Sequence, residues 1–252
     1  MSFIVVIPAR HSSTRLPGKP LAEIDGIPMV VHVAKRSSES GAREVWIATD
    51  HEEIADQAGR HGFSARITSA HHASGTDRIA EVASDWPDDT IVVNVQGDEP
   101  LIDPDLISGV AARLREDPQI QAATACCPIE SWDEMKNPNI VKVVLDANDR
   151  ALYFSRAEIP YARDFAREGT LPKNFPAFRH IGIYAYRAGF LATYAALPPA
   201  AIEQFEALEQ LRLLWNGYRI GVLRTNSPHA GGDTPEDLER VRNIFKKSKE
   251  KS

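Results

Sequence analysis

Arg10, Arg15 and Lys19 stand in one short loop, interleaved with the hydroxyls of Ser12, Ser13 and Thr14 and with the turn residue Gly18. Such a loop can wrap a polyphosphate. Its cations neutralise charge, and its hydroxyls and freed backbone N–H groups donate hydrogen bonds to phosphate oxygens. Arg10 and Lys19 are the candidate phosphate ligands, and Arg15 is read as structural because two positive charges suffice. Neither GxxxxGK[ST] nor GxGxxG occurs here, so the loop is neither a P-loop nor a dinucleotide fingerprint. By composition alone it also fits an ordinary basic surface loop.

Two aspartates could hold a divalent cation beside that polyphosphate. Asp98 follows a β-branched run and precedes Glu99-Pro100, and Asp233 follows Gly231-Gly232, a turn that lets the backbone approach closely. Mg²⁺ favours carboxylate and phosphate oxygens and supports phosphoryl chemistry by neutralising charge. The plainer alternatives are a strand-end turn for Asp98 and a helix N-cap for Asp233. Ser74, Gly75 and Arg78 open a helical pattern, where free N–H groups attract anions. An ordinary capping sequence would look the same.

The elements that must position these groups are legible as alternating strands and helices. Apolar runs predict strands at 3–8, 44–49, 64–68, 91–95, 121–127 and 140–145. Helical patterns fall at 29–37, 52–61, 76–84 and 104–115, with Gly62 closing the second. This alternation predicts an α/β doubly wound, mostly parallel sheet with helices on both faces. Ligands in such folds bind beyond the carboxyl ends of the strands. The 10–19 loop, Thr49-Asp50 and Gln96-Gly97-Asp98 all fall there. From about 150 to 215 the pattern changes to strands at 153–156 and 180–186 with a Pro-rich loop at 171–176, which predicts an inserted antiparallel lobe. His180 and Tyr184 lie four apart on one strand, hence on one face. Phe205, Leu208, Leu211, Leu214 and Trp215 form a helical pattern carrying Glu209 and Gln210. A last helix spans 234–246, capped by Asp233 or Thr234 with Pro235 early, and a charged tail follows.

The whole chain narrows the possibilities. Its 252 residues suit one large domain with an embedded lobe. A net charge of −6 argues against a general nucleic-acid binder, so a polyphosphate site must be locally basic on an acidic protein. The two cysteines, Cys126 and Cys127, are adjacent, which disfavours both a disulfide between them and a zinc site. They read as buried thiols in a reducing compartment. Met1-Ser2 leads straight into a strand, and no apolar run approaches the roughly 18 residues that span a bilayer, so a cytoplasmic location is expected.

The ordered set PARxxSTRLPGKPL, Ala48-Thr49-Asp50, His72-Ala73-Ser74-Gly75-Thr76-Asp77-Arg78, Val95-Gln96-Gly97-Asp98-Glu99-Pro100, Tyr153-Phe154-Ser155-Arg156, His180-Ile181-Gly182-Ile183-Tyr184, Leu208-Glu209-Gln210-Leu211 and Gly232-Asp233-Thr234-Pro235 resembles the sugar cytidylyltransferases. The similarity is greatest to members acting on 3-deoxy-manno-octulosonate (Kdo). It implies a nucleotide-diphospho-sugar transferase-like fold and transfer of CMP from CTP to Kdo for lipopolysaccharide synthesis. It also implies a homodimer formed through the 150–215 lobe. It carries Ala9, Arg10, Ser13, Lys19, Ser74, Gly75 and Arg78 over to the CTP site, and Asp98 and Asp233 over as Mg²⁺ ligands. Arg10, Lys19, Asp98 and Asp233 are then the catalytic set. Gln96, Arg156, His180, Tyr184, Glu209 and Gln210 become the sugar site, and their types suit a carboxylated, hydroxyl-rich ligand. For Glu209 and Gln210 a solvated helix face is the plainer reading. A different acid sugar (8-amino-Kdo or sialic acid) and a non-catalytic nucleotide-binding protein are the competing functions.

Overall fold

The computed structural model describes residues 2–11, 18–72, 74–165, 170–172, 174–226 and 235–249. In chain order, β1 (Phe3–Ala9) leads through a 3₁₀ turn (Lys19–Leu21), β2 (Glu23–Ile24) and β3 (Ile27–Pro28) into α1 (Met29–Ser38). Then come β4 (Glu44–Thr49), α2 (Glu52–Arg60), β5 (Ser64–Ile67), α3 (Gly75–Ala83), β6 (Ile91–Asn94), α4 (Pro104–Glu116) and β7 (Ala122–Pro128). The second half holds α5 (Trp132–Lys136), β8 (Lys142–Leu145), β9 (Ala151–Ser155), β10 (Phe178–Arg187), α6 (Ala188–Ala196), α7 (Ala201–Glu206), α8 (Leu211–Trp215), β11 (Ile220–Arg224) and α9 (Pro235–Lys249).

The nine-stranded sheet runs β11-β7-β10-β6-β1-β4-β5, with β8 and β9 branching from β10. β1 pairs in parallel with both β4 and β6, β4 with β5, and β11 with β7. Alternation along β1 shows why its continuous apolar run is a strand buried on both faces. Val5 and Ile7 enter one core with helices α1, α2 and α4, while Ile4 and Val6 enter the other with α3, α6 and α8. On the first face, each of Leu106, Ile107, Val110 and Leu114 from α4 is buried, about 1.5–3 kcal/mol apiece before entropy. Cys126 and Cys127 are free buried thiols that point into opposite cores. Burial raises both thiol pKa values, that of Cys126 to about 12.

Local chemistry fixes the helix ends. Ser74 caps α3 in a reciprocal box with Asp77, Asp103 caps α4 ahead of Pro104, and Gly62 closes α2 with a φ of 82°. α9 packs Leu238 and Val241 on Ile24 and Met29. It extends beyond the sequence-predicted end at residue 246 to Lys249, while Asp233 and Thr234, the expected caps, lie outside the described residues.

Two features depart from the sequence pattern. The 150–215 segment is continuous with the main sheet, because β10 runs antiparallel between β6 and β7 near its centre. Only the start of β10 joins the antiparallel group, where Phe178 and Arg179 pair with β8. The helical pattern at 205–215 is also broken. α7 ends at Glu206, Ala207 turns left-handed with a φ of 50°, and Glu209-Gln210 form a turn before α8. No glycine announces that break, and Phe205, part of that apolar pattern, is 94% exposed.

Candidate active site

Strands β1, β4 and β6 end side by side, so the segments that follow them share one rim. The turn after β6 comes very near β1: a Cβ on Gly97 would lie 3.0 Å from the Pro8 carbonyl oxygen, so only glycine suits that approach. This sets Asp98 beside the phosphate-type loop. That loop is closed by the Gly18 N–H donating to the His11 carbonyl at 3.3 Å, and Gly18 adopts a φ of 67°. Lys19 follows at once and its ammonium donates to the Asp98 carboxylate. The candidate phosphate cation and the candidate metal ligand are thus an ion pair, with Lys19 the more buried partner. Ala9 is buried at the end of β1 and Arg10 is half-buried just past it. Ser12, Ser13, Thr14, Arg15 and Asp233 lie outside the described residues.

Asp50 organises this side. One carboxylate oxygen accepts from the His11 N–H at 3.1 Å, and the other accepts from Arg78 at 3.0 Å. Arg78 is fully buried and also donates to the Thr68 hydroxyl. Burial lowers the Arg78 pKa and Asp50 opposes that shift, while the charge of Arg10 adds to it. Arg78 therefore supports the loop from beneath through Asp50. Ser74 occupies the start of α3, where its hydroxyl accepts from Asp77 N–H at 3.1 Å. Gly75 lies against the Pro8 ring.

The other half of the site is neutral and more enclosed. β10 pairs with β6 only up to Tyr184 opposite Asn94, so its earlier residues run past the end of β6 toward the rim. His180 and Tyr184 face each other, as the four-residue spacing predicts, with the Tyr184 hydroxyl 3.0 Å from His180 Nε2. Thr124 lies 3.0 Å from the same nitrogen, and its hydroxyl reaches the Ile183 carbonyl at 2.7 Å. Burial lowers the His180 pKa to about 3, so the ring is neutral at physiological pH. Burial likewise raises the pKa of Tyr184 and of Glu209. The Glu209 carboxyl faces the hydroxyls of Thr76 and Ser74, which oppose its shift. Among the described residues, Glu209 Oε1 and Gln210 Nε2 are buried with no hydrogen-bond partner. The solvated-face alternative for these two residues therefore fails.

Gln96 donates to the Asn94 side chain at 3.3 Å. Arg156 is placed differently. Its guanidinium donates to the carbonyls of Glu206 at 2.7 Å and Pro138 at 3.0 Å, beside a separate cleft of about 530 Å³ shared with Lys136, Glu158 and Tyr161. The arrangement thus pairs Tyr184 with His180 and Glu209 with Ser74, with Tyr184 in reach of the Glu209 charge, and commits Arg156 to holding the turn that precedes Glu209.

Sequence reasoning passed over three supporting residues. Asp50 stood in a matched motif without a role. Lys142 is fully buried, and its ammonium donates to the carbonyls of Asn137, Ile140 and Arg156 at 3.0, 2.7 and 2.6 Å. Glu206 accepts from the Ser155 hydroxyl at 2.6 Å and the Arg156 N–H at 2.9 Å. The strand periodicity around Lys142 could have flagged a lysine among inward positions, but nothing local marks Glu206.

A doubly wound sheet with this rim is that of an α/β nucleotidyltransferase. Residues 4–220 match the cytidylyltransferase family, and the chain belongs to it. Among solved structures it is similar to a CMP:2-keto-3-deoxy-manno-octonic acid synthetase complexed with CTP. That match has 41% identity and a TM-score of 0.90, covering 98% of this chain and 100% of the other. A Bacillus anthracis protein assigned as a glucose-1-phosphate thymidylyltransferase, in complex with sucrose, shares the fold alone. There the identity is 16% and the TM-score 0.65, over 96% of this chain and 95% of the other.

Proposed function

We propose that this chain transfers CMP from CTP to the anomeric 2-hydroxyl of Kdo, giving CMP-Kdo and pyrophosphate and so activating the sugar for lipopolysaccharide synthesis. The observation that carries the reading is the 41% identity, over 98% of the chain, to a CMP-Kdo synthetase complexed with CTP. The 2-hydroxyl oxygen forms the new bond to the α-phosphorus. The bond from that phosphorus to the pyrophosphate oxygen breaks, and the hydroxyl proton leaves to solvent.

In this reading Arg10, Ser13 and Lys19 neutralise and bind the triphosphate, while Ala9, Ser74 and Gly75 line the nucleotide site. Arg78 acts through Asp50. Asp98 is a hard oxygen donor on the rim, which suits Mg²⁺, and Asp233 is its proposed companion. Bound there, Mg²⁺ supplies charge neutralisation and acidifies the attacking hydroxyl. Lys19 and Asp98 carry the charges opposite to the two halves of a Mg²⁺–triphosphate, so that ligand can substitute for each in the other's company. His180 is too weak a base, at about 3, to take the proton, and it serves instead to orient Tyr184 and the sugar. Gln96 is the remaining polar group proposed for the sugar. The unpartnered buried atoms of Glu209 and Gln210 support a hydroxyl-rich ligand, since buried polar groups are normally satisfied. Arg156 contributes by fixing the Glu206–Ala207 turn.

A cytoplasmic homodimer is the proposed form. The free, buried cysteines suit a reducing compartment, and Tyr161 and Phe205 leave exposed apolar surface in the 150–215 segment. No helix among the described residues is long and apolar enough to cross a membrane. The test is pyrophosphate release from CTP and Mg²⁺ with Kdo, 8-amino-Kdo, N-acetylneuraminate or no sugar. Release with Kdo alone is expected. Release with another sugar keeps the core chemistry and overturns the pocket reading, and CTP binding without release overturns catalysis.

A further inference from the structure

His11, His51 and Glu53 have no part in the chemistry above, yet the fold gathers them. β1 and β4 are adjacent and parallel, so the residues just past their ends emerge side by side. His11 lies two residues past β1. His51 precedes α2 at its cap position, and Glu53 lies in the first turn of that helix. The imidazoles stack with centroids 3.9 Å apart and planes 13° from parallel. One donor atom from each of the three residues lies within 4.8 Å of the other two. Among the described residues, His51 Nδ1 is buried with no hydrogen-bond partner, which leaves a lone pair or an N–H unused there.

We infer that His11, His51 and Glu53 form a binding site for a zinc-class transition-metal ion at the mouth of the phosphate loop, separate from the Asp98 carboxylate that suits Mg²⁺. The donor set decides the ion. Two imidazole nitrogens and one carboxylate oxygen match Zn²⁺ and its neighbours, whereas Mg²⁺ prefers oxygen ligands throughout. A tetrahedral zinc with bonds of about 2.0–2.1 Å holds two nitrogens about 3.3 Å apart. The present spread therefore needs to close by on the order of 1.5 Å. Stacked rings cannot both aim at one ion, so each must turn about its side-chain bonds until the nitrogens converge. Glu53 is exposed, so its side chain can swing in. A helix start disfavours a cation, but Glu52 and Glu53 in the first turn offset that field. The backbone needs no change, since the His11 N–H is already held by Asp50. Three protein ligands leave a fourth position for water or an anion.

The experiment uses tag-free full-length protein and Co²⁺, whose visible spectrum reports coordination, with Zn²⁺ competition and isothermal calorimetry for stoichiometry. One equivalent per chain is expected, giving a four- or five-coordinate cobalt spectrum that Zn²⁺ abolishes. His51→Ala and Glu53→Gln should each weaken binding at least tenfold, and His71→Ala, an exposed histidine elsewhere, should leave it unchanged. Circular dichroism checks that each variant folds, and the exposed position of Glu53 keeps the test valid if His51→Ala does not. Binding that stays at the wild-type level in both His51→Ala and Glu53→Gln, or is weakened as much in His71→Ala, would mark dispersed surface histidines and overturn the site. So would the absence of binding above that of the His11→Ala/His51→Ala double variant.

Discussion

The two halves of the rim treat charge in opposite ways. On the nucleotide side, full charges are kept and paired: Lys19 with Asp98, Arg78 with Asp50. On the sugar side, burial holds His180 neutral and pushes Tyr184 and Glu209 toward their protonated forms. In the proposed function, the difference follows from what each side recognises. A polyphosphate is met by fixed charge, and a sugar's hydroxyls by directional neutral donors and acceptors. One half can thus be broken by removing a charge and the other by adding one.

The largest effect is expected at Arg78. Replacing it with Met leaves the Asp50 carboxylate, which is largely buried, without its cation. Breaking a buried pair from one side costs about 3–5 kcal/mol, so urea unfolding should show a loss of that order. Arg78→Lys should rescue little, because one ammonium cannot serve Thr68 and Asp50 in the same fork. A stable Arg78→Met whose only defect is a raised KM for CTP would mean that the guanidinium touches the nucleotide directly, and the supporting role would be wrong.

Asp98→Ala comes next. It removes the proposed Mg²⁺ ligand and leaves Lys19 without this carboxylate. On the scale of one lost electrostatic element, kcat should fall about 10²–10³-fold. Steady-state pyrophosphate release measures it, and near-wild-type turnover would remove Asp98 from the chemistry.

The contrast between the halves also explains what the amino-acid sequence made legible. Strand β1 is an unbroken apolar run, β4 and β6 have apolar stretches at 45–48 and 91–93, and the phosphate loop is contiguous, so their types and order could be read directly. The rest depends on distance along the chain. Nothing near residues 178–187 says that this strand threads between β6 and β7, because the pairing partners lie fifty or more residues away. The left-handed turn at Ala207 has no glycine to announce it, so Glu209 and Gln210 read as a helix face when they are buried. The lysine at 142 looks misplaced in a strand until three backbone carbonyls are found around it.

On the neutral side, His180 makes the difference measurable by pH. Its folded pKa of about 3 lies below the unfolded value of 6.5, so between these limits the unfolded chain binds a proton that the folded chain does not. The stability tied to this residue is complete above about pH 6.5 and is lost as pH falls toward 3. Its slope is at most about 1.4 kcal/mol per pH unit. His32, whose pKa burial also lowers, contributes in the same direction. Wild type and His180→Asn should therefore be compared by urea unfolding at steps from pH 7 to pH 4. The variant should show the shallower loss, and identical slopes would mean that His180 carries charge in the folded protein.

The smallest expected effect lies at Ser74, where the halves meet. Its hydroxyl accepts from the Asp77 N–H and also faces Glu209, so it both caps α3 and touches the proposed sugar-site residue Glu209. Loss of the cap in Ser74→Ala should cost about 1 kcal/mol. Ser74→Asn restores a capping acceptor but brings a larger amide toward Glu209. If the residue serves only the cap, Asn should recover both thermal stability and turnover. If it joins the halves, Asn should recover stability while KM for Kdo remains raised and KM for CTP stays near wild type. A change confined to the KM for CTP would instead place Ser74 wholly on the nucleotide side. That outcome would move the boundary between the charged and neutral halves from the start of α3 to the Glu209-Gln210 turn.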